Sequence, residues 1–328
     1  MRRWELIVLV CGAAVASPLV SHAQVSERLY RVAYLALTPG ENTTPRMKTF
    51  EQRLRELGYV EGRNITIDYR SADGRSERLS ALAAELVRGK PDVLVAGLGT
   101  LTAQAAKAAT RDIPIVFTSV GDPLGAHLVV NLARPDGNVT GLASQSTETA
   151  AKRLQILEKL LPSRSIIAVL MNPGAPAPVL ALKEVRVAAE KQGVRLEVLE
   201  ITAASQVPEK IEAGMRAGAA GLLVIEDPVT LAARQQVSDL CAQFRLPAVS
   251  GDREFVQAGA LMSYGADREQ LFRRAAEFVD KLLKGAKPSA MPIEQPTKFA
   301  LVINMKAAKL IGLDVPPSII AIADEVIE

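Results

Sequence analysis

The segment IPIVFTSVGDPLGAHLVVNLARPDGNVTG, residues 113–141, decides how the rest of this chain is interpreted. Its pattern predicts a β-branched strand over 115–118, a polar loop over 119–123, a short helical segment and a Pro/Gly-rich turn over 134–138. A strand that ends in a polar loop is typical of the ligand-facing edge of a sheet. We therefore expect the loop to line a binding cleft and residues 139–141 to carry the chain into a second lobe.

Composition and the N-terminal residues predict an exported globular protein. The chain has 328 residues, of which 48% are hydrophobic and 23% charged, enough for two lobes of ordinary size. Arg2 and Arg3 precede an apolar run over 6–16, which predicts a secretory signal peptide over residues 1–23 with cleavage near Ala23. Export by the Sec or the twin-arginine route stays open. A lipid anchor is not expected, because Cys11 follows a bulky residue.

Removal of the signal peptide would leave His127 and Cys241 as the sole His and Cys. A mature chain of this kind cannot form an internal disulfide, a His-rich metal centre or a two-thiol active site. We expect His127 on a helix surface and Cys241 buried and inert. Lys and Arg are dispersed, so no nucleic-acid partner is expected. No metal, cofactor or catalytic residue is predicted.

An internal repeat defines the fold class. Strands predicted over 31–37, 64–69 and 91–96 alternate with amphipathic helices, and the pattern recurs with strands over 166–171, 195–201 and 221–225. Apolar strands that alternate with helices indicate a parallel sheet covered on both faces. The sequence therefore predicts an α/β protein of two similar Rossmann-like lobes.

The last quarter of the chain is expected to tie the lobes together. A strand over 261–265 precedes a long amphipathic helix over 267–284, which most simply packs back on the first lobe, while the final segment returns to the second. About three crossovers would then join the lobes and allow hinge closure. The predicted boundaries are residues 28–141 plus 266–290 for lobe 1 and 142–265 plus 291–328 for lobe 2.

Ligands of open parallel sheets bind beyond the carboxyl ends of the strands. There, Gly97-Leu98-Gly99-Thr100 with Thr102 resembles an anion site at a helix N-terminus, although the Thr could serve only as an N-cap. Asp122-Pro123 and Asp227-Pro228 each fit Asp at the N-cap and Pro at the first helical position.

Several carboxylates follow the predicted strand ends of both lobes. Asp122, Asp227, Glu226, Asp252 and Glu254 could receive an ammonium group, or Arg253 could pair with Glu254 or Asp252 instead. An anion site on one lobe and acids on the other would suit a zwitterion such as an amino acid. The candidate ligand-binding residues are Thr38, Pro39, Gly97, Gly99, Thr100, Thr118, Ser119, Asp122, Asn172, Glu226, Asp227, Asp252 and Tyr264. Core packing is the favoured role of Phe117 and Tyr34.

Several phrases of the sequence resemble one family over essentially the whole chain after residue 23. The phrases are LGYVEGRN at 57–64, PIVF at 114–117 with GDP at 121–123, RPDGNVTG at 134–141, LMSYG at 261–265, QPTKF at 295–299 and the ending from Gly312 to Ile327. Together they resemble the ABC-transporter substrate-binding proteins of the tryptophan/tyrosine type. The resemblance implies a type I periplasmic-binding-protein fold, no catalysis, and a periplasmic monomer that delivers a small-molecule solute to an inner-membrane permease.

The leading hypothesis is therefore an exported receptor that closes on a small organic solute, either an amino acid, including aromatic ones, or another small carboxylate. A ligand-sensing module for a membrane signalling partner is the alternative, and an exported enzyme comes third. Aromatic residues make up 4% of the chain, and its one Trp lies in the predicted signal peptide. That scarcity disfavours sugars, whose apolar faces stack on rings.

Overall fold

The computed structural model describes residues 28–328, so the predicted signal peptide and Cys11 lie outside the described residues. The first lobe is built on a five-stranded, fully parallel sheet in the order β2-β1-β3-β4-β5. Short apolar strands and amphipathic helices alternate along it, as predicted. The elements are β1 (Tyr30–Ala36), α1 (Pro45–Glu56), β2 (Ile65–Ser71), α2 (Leu79–Arg88), β3 (Val93–Ala96), α3 (Thr100–Ala109), β4 (Ile115–Val120) and β5 (Val139–Ala143).

The second lobe repeats this plan with seven strands in the order β12-β11-β10-β9-β8-β6-β7. Its strands are β6 (Ile166–Met171), β7 (Arg195–Glu200), β8 (Ala219–Val224), β9 (Ala248–Ser250), β10 (Met262–Ala266), β11 (Phe299–Asn304) and β12 (Glu325–Ile327). Its helices are α4 (Ser146–Glu158), α5 (Pro176–Gln192), α6 (Val207–Arg216), α7 (Pro228–Ala232), α8 (Arg234–Gln243), α9 (Arg253–Gln257), α11 (Met305–Ile311) and α12 (Pro317–Ile320). The remaining helix, α10 (Arg268–Leu283), packs on α1 and β4 of the first lobe.

One strand departs from the expected parallel arrangement. β11 pairs with β10 in the antiparallel direction. The reason is the route of the chain: after β10 it leaves for α10 on the first lobe and re-enters the second sheet from the side on which β10 ended. The strand must then run back along its neighbour.

Three segments cross between the lobes, and two of them lie side by side. Ala143 N–H donates to the Glu294 carbonyl at 2.8 Å, and Glu294 N–H donates to the Gly141 carbonyl at 3.1 Å. Thr140 Oγ1 donates to the Met291 carbonyl at 2.8 Å. The chain therefore leaves the first lobe after Ala143, enters it again after Ala266 and leaves it after Glu294. The domain boundaries predicted from sequence stay a prediction.

The helix expected after Pro123 does not form. Residues 124–133 make a series of turns, and His127 is exposed there with a φ of 55°, so it is not on a helix. The Asp122 Oδ1 accepts the Gly125 N–H at 2.8 Å, which offers the backbone a turn in place of a first helical turn. The Asp-Pro pair at this position therefore begins a series of turns and does not begin a helix.

The core confirms the assignments made for the buried residues. Tyr34 and Phe117 are fully buried, and Cys241 is a buried free thiol whose pKa burial raises to about 12. Among residues 28–328, no helix has the length and apolar character needed to cross a membrane.

A buried hydrogen bond fixes α10 to the first lobe and gives a stability prediction. Tyr59 Oη donates to Asp280 Oδ1 at 3.0 Å, and the Tyr59 ring packs edge-on against Tyr30. We expect Tyr59→Phe to lower the free energy of unfolding by about 1.5–3 kcal/mol, because a hydrogen bond to a charged acceptor is lost while the ring remains. Urea denaturation checks this. An unchanged midpoint would show that water replaces the hydroxyl at Asp280 without cost.

Candidate functional site

A cavity of about 440 Å³ lies between the lobes, at the carboxyl ends of the strands of both sheets. The first lobe contributes the turn before α3 and the end of β4, and the second contributes the N-terminal turns of α5 and α7. The lining residues are Leu37, Leu98, Gly99, Thr100, Leu101, Ser119, Gly121, Ser144, Ser146, Ala175, Ala177, Pro178, Glu226, Asp227, Pro228 and Arg268. Aliphatic side chains and glycines share the wall with seven polar or charged residues: Thr100, Ser119, Ser144, Ser146, Glu226, Asp227 and Arg268. Both lobes therefore offer hydrogen-bonding groups to a small molecule in the cavity.

The two lobes touch at the cavity. A Cβ atom built on Gly99 would lie 2.9 Å from Pro228 Cγ and 3.1 Å from Pro228 Cδ, and one built on Gly121 would lie 3.1 Å from the Ala177 Cβ. Gly99 also has a φ of 99° and a ψ of 168°, a conformation that side-chain-bearing residues avoid. The structure is therefore a closed form in which glycine allows the lobes to meet.

The first lobe presents hydrogen-bond donors to the cavity. α3 begins at Thr100, so the unpaired N–H groups of its first turn and its positive dipole end face this region. The Thr100 hydroxyl is buried and has no hydrogen-bond partner among the described residues. Thr102, by contrast, donates to the Gly97 carbonyl at 2.8 Å and so braces the loop. This turn can bind an anion such as a carboxylate through the backbone and Thr100.

The second lobe presents Asp227. Asp227 caps α7 by accepting the Thr230 N–H at 2.9 Å, with Pro228 in the first turn, which confirms the predicted Asp-Pro helix start. Asn172 Nδ2 donates to the other Asp227 oxygen at 2.6 Å. Burial raises the pKa of Asp227, while these hydrogen bonds oppose the shift. Asp227 forms no ion pair with any basic residue in 28–328, which leaves its charge available to a cationic group.

The other acids near the cavity are already neutralised by arginine. Arg153 is fully buried on α4, and its Nη2 lies 3.2 Å from Glu226 Oε2. Arg268, at the start of α10, pairs with Asp252 at 2.5 Å and donates to the Ser119 hydroxyl at 3.1 Å. Arg268 thus bridges the two lobes beside the cavity.

The arginine pairing predicted for α9 is wrong. Arg253 pairs with Glu325 at 2.6 Å, and Glu254 pairs with Arg46 of the first lobe and with Arg234. The acids on this side therefore serve contacts within the protein.

The structure places five of the thirteen candidate residues in the cavity wall: Gly99, Thr100, Ser119, Glu226 and Asp227. Asp252 lines an adjoining cavity of about 550 Å³ that shares Arg268 with the first. Asn172 lies behind Asp227 and orients it. The ligand-binding role of these residues stays a prediction.

The remaining candidates lie away from the cavity wall. The Thr38 carbonyl accepts from Ser71 Oγ at 3.0 Å, and Pro39 is exposed. Tyr264 packs against Phe299 with ring centroids 6.1 Å apart. Three others lie outside the wall. Gly97 packs on Glu41 and Tyr34, and Asp122 forms the turn with Gly125. The Thr118 hydroxyl is buried inside the first lobe, with no hydrogen-bond partner in the part of the chain that the structure describes.

The sequence analysis did not identify Arg153 or Arg268 as residues of the site, although the position of each in its helix indicates that it needs an acidic partner. Arg153 lies on the face of α4 formed by Ala150, Leu154 and Leu157, where a charged residue needs a buried partner. Arg268 is a basic residue in the first turn of α10, an unfavourable place in the helix dipole unless a carboxylate pairs with it.

Gly99 gives a prediction about closure. We expect Gly99→Ala to weaken ligand binding roughly 10- to 100-fold, because the added methyl group overlaps Pro228 only when the lobes meet. Gly137→Ala is the matched control: Gly137 has a φ of 70°, but a Cβ there would meet no atom within 4 Å. Titration calorimetry checks both. Equal affinities for the two variants would mean that the Gly99 contact does not limit closure.

Two Rossmann-like lobes joined by three crossovers around a small-molecule cavity define a type I periplasmic binding protein. The chain belongs to the ABC transporter substrate binding protein family, whose model matches residues 32–327. The two sheets confirm the predicted fold class. Members of this family bind solutes and are not enzymes, which confirms the expectation of a non-catalytic protein. They bind small molecules and work with an ABC transporter.

Known proteins resemble the chain over most of its length. A tyrosine-binding protein of Clostridioides difficile (strain R20291) is 28% identical over 267 residues, 81% of this chain and 76% of that protein. A conserved domain protein of Vibrio cholerae is 29% identical with a TM-score of 0.82, covering 90% of this chain and 99% of that one.

Two further structures, one with a bound ligand and one open, match this chain to different degrees. A Streptococcus pneumonia ABC domain in complex with L-Trp is 24% identical with a TM-score of 0.83, covering 91% of this chain and 99% of that one. The ligand-free, open structure of a substrate-binding protein with adhesive properties from Clostridium difficile, at 25% identity and the same coverage, has a TM-score of 0.63. The lower score against an open form agrees with the closed lobes described here.

Proposed function

We propose that this protein is the exported receptor of an ABC importer and that it closes its two lobes on an amino acid. One observation carries the proposal: the Thr100 hydroxyl at the start of α3 and the Asp227 carboxyl group lie on opposite lobes of one cavity. Within residues 28–328, the first has no hydrogen-bond partner and the second forms no ion pair. Gly99 and Pro228, their chain neighbours, are in contact across the cavity. This arrangement complements the carboxylate and the ammonium group of a zwitterion.

Aromatic L-amino acids are the first candidates. They are supported by the tyrosine-binding relative and by the similar structure with L-Trp bound. The aliphatic wall of Leu37, Leu98, Leu101 and Pro178 offers an apolar surface to a side chain of the ligand. Other small carboxylates would use the α3 site alone and would bind more weakly, because Asp227 would then be buried without a cationic partner.

Export, lobe closure and delivery form the rest of the proposal. The apolar run over 6–16 behind Arg2 and Arg3 supports a signal peptide cleaved near Ala23 and export to the periplasm. Ligand binding would favour the closed form, and an inner-membrane permease would take the solute from it. The family match describes transport, which favours this role over sensing for a signalling partner.

Titration calorimetry tests the proposal. The protein that begins after Ala23 is titrated with the twenty L-amino acids, short organic acids, pentoses and polyamines. We expect heat of binding with one or more amino acids, aromatic ones first, and a negative heat-capacity change because apolar surface is buried. Binding of sugars or polyamines alone would contradict the proposal.

A further inference from the structure

A line of buried polar groups connects the loop beside the cavity with the second lobe. It begins at Tyr34 on β1 and continues to Glu41, whose carbonyl accepts the N–H of Thr44, the N-cap of α1, at 3.2 Å. Arg46 lies in the first turn of that helix and pairs with the half-buried Glu254 on α9. We propose that Glu41 and Arg46 are positioning residues that couple the geometry of the Gly97–Thr100 loop to lobe closure. The inference rests on the proposed function, since the loop is the expected site of the ligand's carboxylate.

Glu41 contacts the Gly97–Thr100 loop and fixes its position. Its side chain is 1% exposed, and its Oε1 accepts the Tyr34 hydroxyl at 2.8 Å and the Leu98 N–H at 3.1 Å. A Cβ atom on Gly97 would lie 2.8 Å from that oxygen, so glycine is what lets the loop rest on the carboxyl group. Leu98 lines the cavity, and its backbone position is therefore set by Glu41.

Arg46 of the first lobe contacts the second lobe. It lies on α1 with 4% exposure and forms an ion pair with Glu254, which is on the second lobe. Its guanidinium carbon is 5.8 Å from the centroid of Phe272 on α10. The charge of Arg46 also opposes the rise that burial causes in the pKa of Glu41.

The second oxygen of Glu41 has no hydrogen-bond partner among the described residues, and neither has Arg46 Nε. Arg46 is a buried cation that is compensated by Glu41 of its own lobe and by Glu254 and Asp252 of the other. Opening of the lobes removes Glu254 from it, which leaves an incompletely compensated charge. Because the Thr44 N–H at the start of α1 donates to the Glu41 carbonyl, a shift of Arg46 on opening would reach Glu41 and its hydrogen bond to the Leu98 N–H.

Ligand dissociation measured by stopped flow, with L-tyrosine as the first probe, tests the ion pair. We expect Glu254→Gln to release the ligand at least roughly tenfold faster with little change in association, because closure follows binding. Glu325→Gln is the matched control, since it removes the Arg253–Glu325 pair inside the second lobe. Equal dissociation rates in wild type and Glu254→Gln would overturn the inference.

Hydrogen exchange at the Leu98 amide tests the coupling itself. In the liganded Glu254→Gln variant we expect this amide to exchange faster than in wild type, although the substitution lies on the other lobe. Glu41→Gln, which keeps an acceptor oxygen for Leu98, should bind more tightly than Glu41→Leu. Unchanged Leu98 exchange in Glu254→Gln would overturn the coupling even if Glu41→Leu does not fold. Absence of any amino-acid binding by the wild type would instead refute the proposed function.

Discussion

Replacement of Arg153 by methionine is expected to lower the free energy of unfolding by about 3–5 kcal/mol, because it leaves Glu226 buried with its nearest guanidinium removed. Arg153 is 0% exposed and also donates to the Ser146 carbonyl at 2.8 Å and the Tyr264 carbonyl at 3.2 Å. Burial raises the pKa of Glu226 and lowers that of Arg153, each against the attraction of the other. Urea denaturation measures the loss.

The double variant Arg153→Met/Glu226→Gln distinguishes the effect of an uncompensated charge from the effect of lost packing. We expect the double variant to regain much of the stability, because no uncompensated carboxylate remains and Arg268 keeps its pair with Asp252. Arg216→Met is the control, since Arg216 is exposed and lies 3.8 Å from Glu212 on the same helix. A loss below about 1 kcal/mol for Arg153→Met would mean that Glu226 is solvated or neutral in the folded protein.

Replacement of Asp227 by asparagine is expected to weaken amino-acid binding by about 2–5 kcal/mol, roughly 30-fold or more, because the ammonium group of the ligand loses a buried carboxylate. Asparagine keeps the oxygen that accepts from Thr230, so the start of α7 is retained. Asp239→Asn is the control: Asp239 is an exposed acid on α8 of the same lobe. Titration calorimetry measures the affinity of both variants for the amino acid. Equal losses of affinity would mean that the ligand does not bind at Asp227.

The titration of Asp227 is expected to make the affinity for the amino acid depend on pH. Burial raises the pKa of Asp227 in the free protein, and a bound ammonium group would lower it again. Affinity should therefore be full above the raised pKa and decrease as the pH falls through it, while Asp227→Asn should show no such decrease. Titrations from neutral to acidic pH check this. A wild-type affinity that does not change over this range would contradict a role for the Asp227 carboxylate.

The architecture could be predicted because periodicity reports it directly. β6 begins and ends where the apolar run 166–171 does, and α10 follows the amphipathic pattern closely. The helix expected after Pro123 failed because side-chain chemistry at Asp122 favours a turn, an effect that hydrophobic spacing does not contain. The direction of β11 depends on a crossover between lobes, which local sequence does not encode.

The site was predicted in part, for a related reason. Carboxyl ends of parallel strands meet at one edge, so Thr100, Ser119 and Asp227 could be placed near one cavity from strand positions alone. Which acids stay free depends on arginines that are distant in sequence, such as Arg153 beside Glu226 and Arg268 beside Asp252. Tyr264 was expected near the ligand, but its ring lies on the face of β10 that packs against Phe299.

A crystal structure of the protein grown with the amino acid that binds most tightly tests the central claim most directly. We expect one ligand between the lobes, its carboxylate on the first-turn N–H groups of α3 and the Thr100 hydroxyl, and its ammonium group on Asp227. A ligand bound outside this cavity, or one whose carboxylate lies on the second lobe, would contradict it.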